Sequence, residues 1–228
     1  MRAFGHAASH VNWRRRGSLG PPCGVVIAGA AYGARVVAQT GYVMFLNGGY
    51  GVGKSAVLDH MGDLLHEAGR PFSLMDVDWF HRSWPPANDD RQNVLTEAAN
   101  LAAVSANYVK AGPRQLVVCG VIRGASDRSR YESALRLRVR SVRLEACAEV
   151  TAARLRLRYA ESRGLGLRWH LERYEELAQQ LRLIDLDESA VATDDLTPRA
   201  VAERVLEHFD SHPEASGDAS ASGARRTP

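Results

Sequence analysis

Residues 42–55 read YVMFLNGGYGVGKS, an apolar run that leads into a glycine-rich loop and then into a lysine and a serine. Glycines in such a loop allow backbone angles that point successive N–H groups at an anion, and the next helix adds its positive end. Lysine and serine at the end of the pattern reach the β- and γ-phosphates and Mg²⁺. The pattern G-x-x-x-x-G-K-[ST] therefore predicts an ATP and Mg²⁺ site, formed by Gly48, Gly49, Tyr50, Gly51, Val52, Gly53, Lys54 and Ser55.

Strand-like and helix-like segments alternate on the C-terminal side of this loop. Apolar runs predict strands at 42–46, 71–75, 115–121, 140–146 and 189–193. Helices are expected from Lys54 to Ala68, from a cap at Asp89 or Asp90 to Ala111, after Ala146, from Glu172 to Leu183, and from Thr197-Pro198 onward. Strands that alternate with helices favour an α/β class, here a three-layer P-loop NTPase fold with a five-stranded, mainly parallel sheet. Its ligand is expected at the carboxyl ends of the strands.

The two ends of the chain lack the apolar periodicity of the middle. Residues 1–40 contain no acidic residue, and we interpret them as an extension that is disordered or translated from upstream of the true start; a targeting segment is the alternative,. Residues 211–228 are rich in Ser, Ala, Gly and Pro, which predicts a disordered tail,. The kinase-like domain is accordingly assigned to residues 41–210.

The overall composition argues against two classes of partner. The net charge of +3 is small and the arginines are scattered, so a nucleic-acid partner is not expected,. The most apolar N-terminal run is too short and glycine-rich for a membrane helix, so no membrane partner is expected either. The three cysteines lack metal or disulfide spacing, which favours a reducing, cytoplasmic location,. We expect Cys119 and Cys147 to be small core residues.

Two acids after the second strand narrow the class of enzyme. Alternation along an extended segment puts Asp76 and Asp78 on one side,. We assign Asp76 to Mg²⁺, through water, and Asp78 to a substrate hydroxyl. The alternative is that the pair forms only a structural turn. The third strand ends without the carboxylate typical of motor ATPases, and no guanine-reading motif is present.

Arginines after the fourth strand are the next candidates. Arg154 and Arg158 are four residues apart and share a helix face, with Arg156 turned away,. Phosphoryl transfer needs cations around the migrating group, so we assign Arg154 and Arg158 to catalysis; the alternative is a solvated face paired with glutamates. Residues 164–166, which read GLG between arginines, predict a flexible lid,.

Aromatic residues follow the acids directly: Trp79, Phe80, His81 and Trp84. Two interpretations stay open for them, a wall of the acceptor pocket or ordinary packing. We interpret His81 as a bystander rather than a base.

At these residues the chain resembles a group of bacterial P-loop kinase-like ATP-binding proteins, which are usually labelled AAA-type ATPases or compared with adenylylsulfate kinases. More distantly it is similar to the chloramphenicol phosphotransferase, gluconate kinase and shikimate kinase families. The resemblance covers residues 42–210 and rests on the phosphate loop, the acids at 76 and 78, the arginines of the following helix and Trp169-His170-Leu171-Glu172-Arg173. It implies that Lys54 and Ser55 contact phosphate and Mg²⁺ and that Asp78 faces the acceptor.

The sequence thus predicts a phosphotransferase that uses ATP and Mg²⁺ on a small hydroxylated molecule. The alternative is a nucleotide-dependent switch or slow ATPase that acts through a protein partner. The acceptor, the preference for ATP over other nucleotides and the oligomeric state do not follow from the sequence.

Overall fold

The computed structural model describes residues 41–159 and 164–212, except for the side chain of Leu165. The extension predicted for residues 1–40 and the tail predicted beyond His212 lie outside the described residues. The last helix continues through Ser211, one residue past the predicted domain boundary.

Five strands form one sheet in the order β2-β3-β1-β4-β5. Every pair is parallel, so the sheet is entirely rather than mainly parallel. Because parallel strands end at the same edge, the order places the end of β1 between the ends of β3 and β4. The strands are β1 Tyr42–Gly48, β2 Phe72–Asp76, β3 Gln115–Gly120, β4 Arg138–Glu145 and β5 Ser189–Ala192.

Seven α-helices connect and cover the strands in the described part of the chain. A 3₁₀ turn, Val77–Trp79, follows β2 directly. None of the helices in residues 41–159 and 164–212 is long and apolar enough to cross a membrane. The helices are α1 Lys54–Glu67, α2 Val94–Lys110, α3 Ala125–Leu135, α4 Ala148–Arg158, α5 Gly164–Leu171, α6 Tyr174–Ile184 and α7 Pro198–Ser211.

The core lies on both faces of the sheet, as the continuous apolar run of β1 predicts. Met44 and Leu46 pack with residues of α1 and α7 on one face. Val43 and Phe45 pack with residues of α2 and α3 on the other. All four side chains are fully buried. This alternation confirms the three-layer architecture and fixes β1 at its centre.

Three segments differ from the sequence-based expectation. Helix α2 begins at Val94 and not directly after Asp89 or Asp90, because Asn93 adopts a left-handed conformation with φ 56°, which a helix cannot include. Asp90 still acts as a cap, since its carboxylate accepts hydrogen bonds from the backbone N–H groups of Leu95 and Thr96 at 3.1 and 2.8 Å. Helix α3 was not expected, because it buries only three side chains in an otherwise polar stretch.

The third difference concerns residues 164–166, which were expected to be a flexible lid. They form the first turn of α5. Nδ1 of His170 lies 2.7 Å from the carbonyl oxygen of Gly166, so a side chain of the helix closes onto its own first turn.

Candidate active site

The phosphate loop connects the carboxyl end of β1 to the first turn of α1. Gly51 and Gly53 have φ angles of 74° and 99°, which side-chain-bearing residues rarely adopt,. A Cβ at Gly51 would also lie 3.2 Å from the carbonyl oxygen of Thr151. Helix α1 begins at Lys54 with no side-chain cap and no acid in its first turn. Its N–H groups are therefore open to an anion.

Lys54 and Ser55 point to different parts of this loop. Nζ of Lys54 donates hydrogen bonds to the carbonyl oxygens of Gly48 and Gly49 at 2.8 and 2.9 Å, so the ammonium group lies across the loop. The hydroxyl of Ser55 donates to Oδ2 of Asp76 at 2.7 Å. Two oxygen ligands of the kind that Mg²⁺ prefers, from the start of α1 and the end of β2, are therefore adjacent. These two oxygens suit Mg²⁺, which usually takes its other ligands from water and phosphate.

The pair of acids takes up two different positions. Oδ1 of Asp76 accepts a hydrogen bond from the backbone N–H of Asp78 at 3.0 Å and so caps the 3₁₀ turn. Asp78 lines the large cavity beside the loop. The pair is thus a turn, as the alternative interpretation required, but the turn aims one carboxylate at Ser55 and places the other at the cavity.

Cys119 lies in register with Asp76 at the end of β3. Burial and the nearby Asp76 carboxylate raise the pKa of the Cys119 thiol well above its usual range, so this side chain stays neutral. The prediction of a buried Cys119 is confirmed, since its exposed fraction is zero.

The prediction of a buried Cys147 is wrong. Cys147 is exposed and occupies the N-cap of α4, where its sulfur accepts a hydrogen bond from the backbone N–H of Val150.

A cavity of about 1100 Å³ opens between the phosphate loop and the elements around it. Cationic side chains from several segments line it, whereas Arg156 does not. Positive charge on several sides suits a polyphosphate in a partly desolvated cleft. These cations are Lys54, Arg82, Arg123, Arg130, Arg154, Arg158 and Arg173.

Arg154 connects the loop to the end of the sheet. Its guanidinium donates to Oγ1 and to the carbonyl oxygen of Thr193, at 2.8 and 2.7 Å, and to the carbonyl oxygen of Val52 at 3.4 Å. Arg158, one turn further along α4, is exposed and makes no ion pair with a described residue. The structure therefore brings both predicted arginines to the cavity, but one is already bound to the backbone and the other is open to solvent.

Helix α5 lies against the loop through aromatic rings. The ring of Tyr50 is 4.8 Å from that of His170 and 5.3 Å from that of Trp169, both edge-on. The guanidinium of Arg173 stacks on Trp169 at 4.8 Å. Burial raises the pKa of Tyr50, with the Asp78 charge as a second cause. Tyr50, a variable position of the phosphate-loop pattern, thus contacts α5, the helix whose first turn was expected to be a lid.

Of the aromatic residues after the acids, only His81 lines the cavity. Trp79 and Trp84 are 58% and 89% exposed, so the structure gives no support to an aromatic wall built from them. Phe80 packs against the core.

Glu97 and Tyr131 also line the cavity, where Glu97 contacts His81 and Tyr131, and neither was predicted from the sequence. One signal was present: Glu97, Leu101 and Ser105 are four residues apart and form the buried stripe of α2. A carboxylate on such a stripe indicates a partnered buried group.

Comparisons with known proteins agree with this architecture. A gluconokinase from Sinorhizobium meliloti 1021 has 20% identity, 77% coverage of this chain and 95% of its own, and a TM-score of 0.50. The tunicamycin resistance protein of Deinococcus radiodurans has 17% identity, coverages of 75% and 96%, and a TM-score of 0.52. A shikimate kinase from Acinetobacter baumannii, in complex with shikimate, has 19% identity, coverages of 79% and 97%, and a TM-score of 0.50.

No family model and no curated protein matches the chain. The structural likenesses nevertheless show its fold, which is the α/β fold of the gluconokinase and shikimate kinase structures.

Proposed function

We propose that this protein transfers the γ-phosphate of ATP to a hydroxyl group of a small molecule. The observation that carries the proposal is the hydrogen bond between Ser55 and Asp76, because it brings a metal-type oxygen pair to the phosphate loop while Asp78 is left facing the cavity. A nucleotide-only site has no need of the second carboxylate.

The role that we propose for each residue follows from its position in the cavity. The loop amides and Lys54 hold the β- and γ-phosphates, which fixes the donor with little covalent chemistry for the protein to do. Ser55 and Asp76 would hold Mg²⁺, which when bound neutralises charge on the phosphates. Asp78 accepts the proton of the acceptor hydroxyl or orients it for in-line attack.

Arginines complete the site. Arg158, Arg173 and Arg154 lie on the α4–α6 side of the cavity, where they balance charge on the migrating group,. The hydrogen bonds of Arg154 to Thr193 and Val52 indicate that it also holds the loop in shape. The residues on the 3₁₀ turn, α2 and α3 face the acceptor.

A screen for acceptor-stimulated ADP release tests the proposal. Its probes are hydroxylated compounds of several classes, beginning with D-gluconate, shikimate, sugars and polyols, each added to protein with ATP and Mg²⁺. We expect at least one class to raise ADP release and to yield a phosphorylated product. Release that no compound stimulates would favour the nucleotide switch or slow ATPase instead.

Two isosteric variants then separate transfer from nucleotide binding. Asp78→Asn should keep Mg²⁺–ATP affinity, measured by calorimetry, and lose about 10²–10⁴-fold in transfer, because the acceptor hydroxyl loses its proton partner. Asp76→Asn should instead raise the Mg²⁺ concentration needed for half-maximal turnover, because its carboxylate adjoins Ser55. Equal losses of nucleotide affinity in both variants would contradict this division.

A further inference from the structure

Three side chains from three elements form a hydrogen-bonded chain on the acceptor side of the cavity. Nδ1 of His81 lies 2.8 Å from Oε2 of Glu97, and the hydroxyl of Tyr131 donates to Oε1 of Glu97 at 2.8 Å. Glu97 and Tyr131 are only 8% and 3% exposed. Burial of a carboxylate is costly unless it is hydrogen-bonded, and here both oxygens have a partner. The pair thus holds the imidazole ring in one orientation.

The surroundings of His81 favour its protonated form. The hydrogen bond to Glu97 is the largest cause that raises the pKa of His81, and the charges of Glu97 and Asp78 raise it further; burial and the charge of Arg82 act in the opposite direction. Burial raises the pKa of Tyr131 far above its usual range, so its hydroxyl stays a donor to Glu97.

One nitrogen of His81 remains available. Nδ1 is committed to Glu97, whereas Nε2 has no hydrogen-bond partner among residues 41–159 and 164–212. The ring lines the cavity together with Asp78, three residues earlier. The 3₁₀ turn that carries Asp78 ends at Trp79 and is capped by Phe80, whose N–H donates to the carbonyl of Val77, so His81 follows the turn directly.

The charge on this side of the cavity has a positive excess when His81 is protonated. Arg123 and Arg130 both pair with one carboxylate, Asp127, at 3.2 and 2.7 Å. Nε of Arg130 is buried and has no hydrogen-bond partner in the described part of the chain. The charged side chains that line this region are the cations His81, Arg82, Arg123 and Arg130 and the carboxylates Asp78 and Glu97. With Asp127 counted, cations still outnumber carboxylates when His81 is protonated, so the cavity favours a ligand that brings negative charge.

We propose that His81 binds the acceptor by donating from Nε2 to an anionic oxygen, that Glu97 is a positioning residue for His81, and that the preferred acceptor is therefore a hydroxy acid. Its hydroxyl faces Asp78, and its carboxylate faces His81 and Arg130. This inference rests on the proposed function, because it names the class of molecule that receives the phosphate. A charge-assisted hydrogen bond of this kind discriminates strongly against a neutral analogue.

Matched acids and neutral analogues test the preference. The probes are D-gluconate against D-glucitol and shikimate against its methyl ester, with ADP release and product formation as readouts. We expect the acid of a pair to have the higher kcat/KM by at least about 10-fold, which is the lower end for a hydrogen bond to a charged group. His81→Gln should raise KM for the acid by about 10- to 100-fold and leave the KM of the neutral analogue within about twofold. The control is His66→Gln, at an exposed histidine in the last turn of α1.

The pH profile distinguishes a positioning role from a structural one. KM for the acid should be low while His81 is protonated and should rise as the pH increases through its pKa. In Glu97→Gln this rise should begin at a lower pH, because the amide keeps the hydrogen bond from Tyr131 but no longer stabilises the imidazolium. A purely structural Glu97 would lower thermal stability without moving the profile. NMR titration of histidine-labelled protein, assigned with His81→Gln, gives the same pKa directly.

Each outcome supports or overturns the inference. Preference for the acids together with the His81 effect supports it. Stimulation by the neutral analogues alone, or equal use of both, overturns the hydroxy-acid assignment but leaves the proposed phosphotransferase in place. An unchanged acid KM in His81→Gln overturns the role of His81. Stimulation by no compound in these pairs or in the wider screen overturns both proposals.

Discussion

The donor half and the acceptor half of the cavity are built in opposite ways. The proposed donor half is one continuous stretch, Gly48–Ser55, which would act mainly through backbone amides and the N-terminus of α1. The proposed acceptor half is assembled from side chains on and directly after the 3₁₀ turn, on α2 and on α3, namely Asp78, His81, Glu97 and Tyr131. A backbone site needs a local sequence pattern, whereas a side-chain site needs tertiary structure to bring its members together. Under the proposed function, the specificity for the acceptor would therefore come from the side-chain half.

The largest effect is expected in the donor half, at Lys54. Lys54→Ala should lower turnover by about 10²–10³-fold, by analogy with the removal of one preorganised donor, about 2.7–4 kcal/mol. The fold should survive, since Lys54 contacts loop carbonyls rather than the core. Steady-state kinetics and a thermal melt measure the two quantities. Lys110→Ala is the matched control, because Lys110 is exposed at the end of α2; a Lys54 variant within about twofold of the parent would contradict its assignment.

A smaller effect tests how far the donor half also depends on side chains. Arg154→Ala removes donors to Thr193, which is 3% exposed, and to the carbonyl of Val52. We expect the free energy of unfolding to fall by about 1–3 kcal/mol, the cost of unsatisfied buried polar groups, and nucleotide affinity to fall with it. Denaturant melts and calorimetry measure both. Arg156→Ala, on the exposed side of α4, should stay within about 0.5 kcal/mol of the parent,; equal losses would remove any special role of Arg154.

The contact between the loop and α5 should contribute less. Tyr50→Ala removes edge-on contacts with His170 and Trp169. Such aromatic pairs contribute about 0.5–1.5 kcal/mol, so nucleotide affinity should fall by about 2- to 10-fold. Tryptophan fluorescence on addition of ATP reports a change in the surroundings of α5, and the Trp169→Phe variant shows whether the signal comes from Trp169. If the contact of Tyr50 with α5 does not matter for nucleotide binding, the nucleotide affinity and the fluorescence change of Tyr50→Ala will match those of the parent.

The smallest effect is expected at the ends of the chain. Deletion of residues 1–38 and 213–228 should change ATP affinity and the melting temperature little, because these segments lack apolar periodicity,. The cut leaves His212, whose carbonyl accepts a hydrogen bond from Arg140. A drop of many degrees would show that a terminal segment packs on the core.

The sequence predicted the elements that follow from short-range rules. The strand at Tyr42, the helix at Lys54 and the Thr197 cap with Pro198 at the first helical position are all present. Such features depend on a few neighbouring residues, so they are readable without tertiary information.

The elements that were missed depend on distant partners. Helix α3 is held by a few buried side chains, so its hydrophobic pattern is weak. The contact of His81 with Glu97 joins residues 16 apart, and that of Glu97 with Tyr131 joins residues 34 apart. No local pattern reports such a contact, and the interpretation of His81 as a bystander did not anticipate it.

The place of β1 in the sheet has a consequence for hydrogen exchange. β1 has a neighbour on both sides and four fully buried side chains, whereas β2, which carries Asp76 and leads to Asp78, is an edge strand. Amides of a central strand exchange only when the whole domain unfolds, while an edge can open locally at a lower free energy. Protection should therefore be highest just before the phosphate loop and lower at the approach to the acceptor. Mild denaturant should accordingly abolish phosphate transfer at concentrations where ATP still binds.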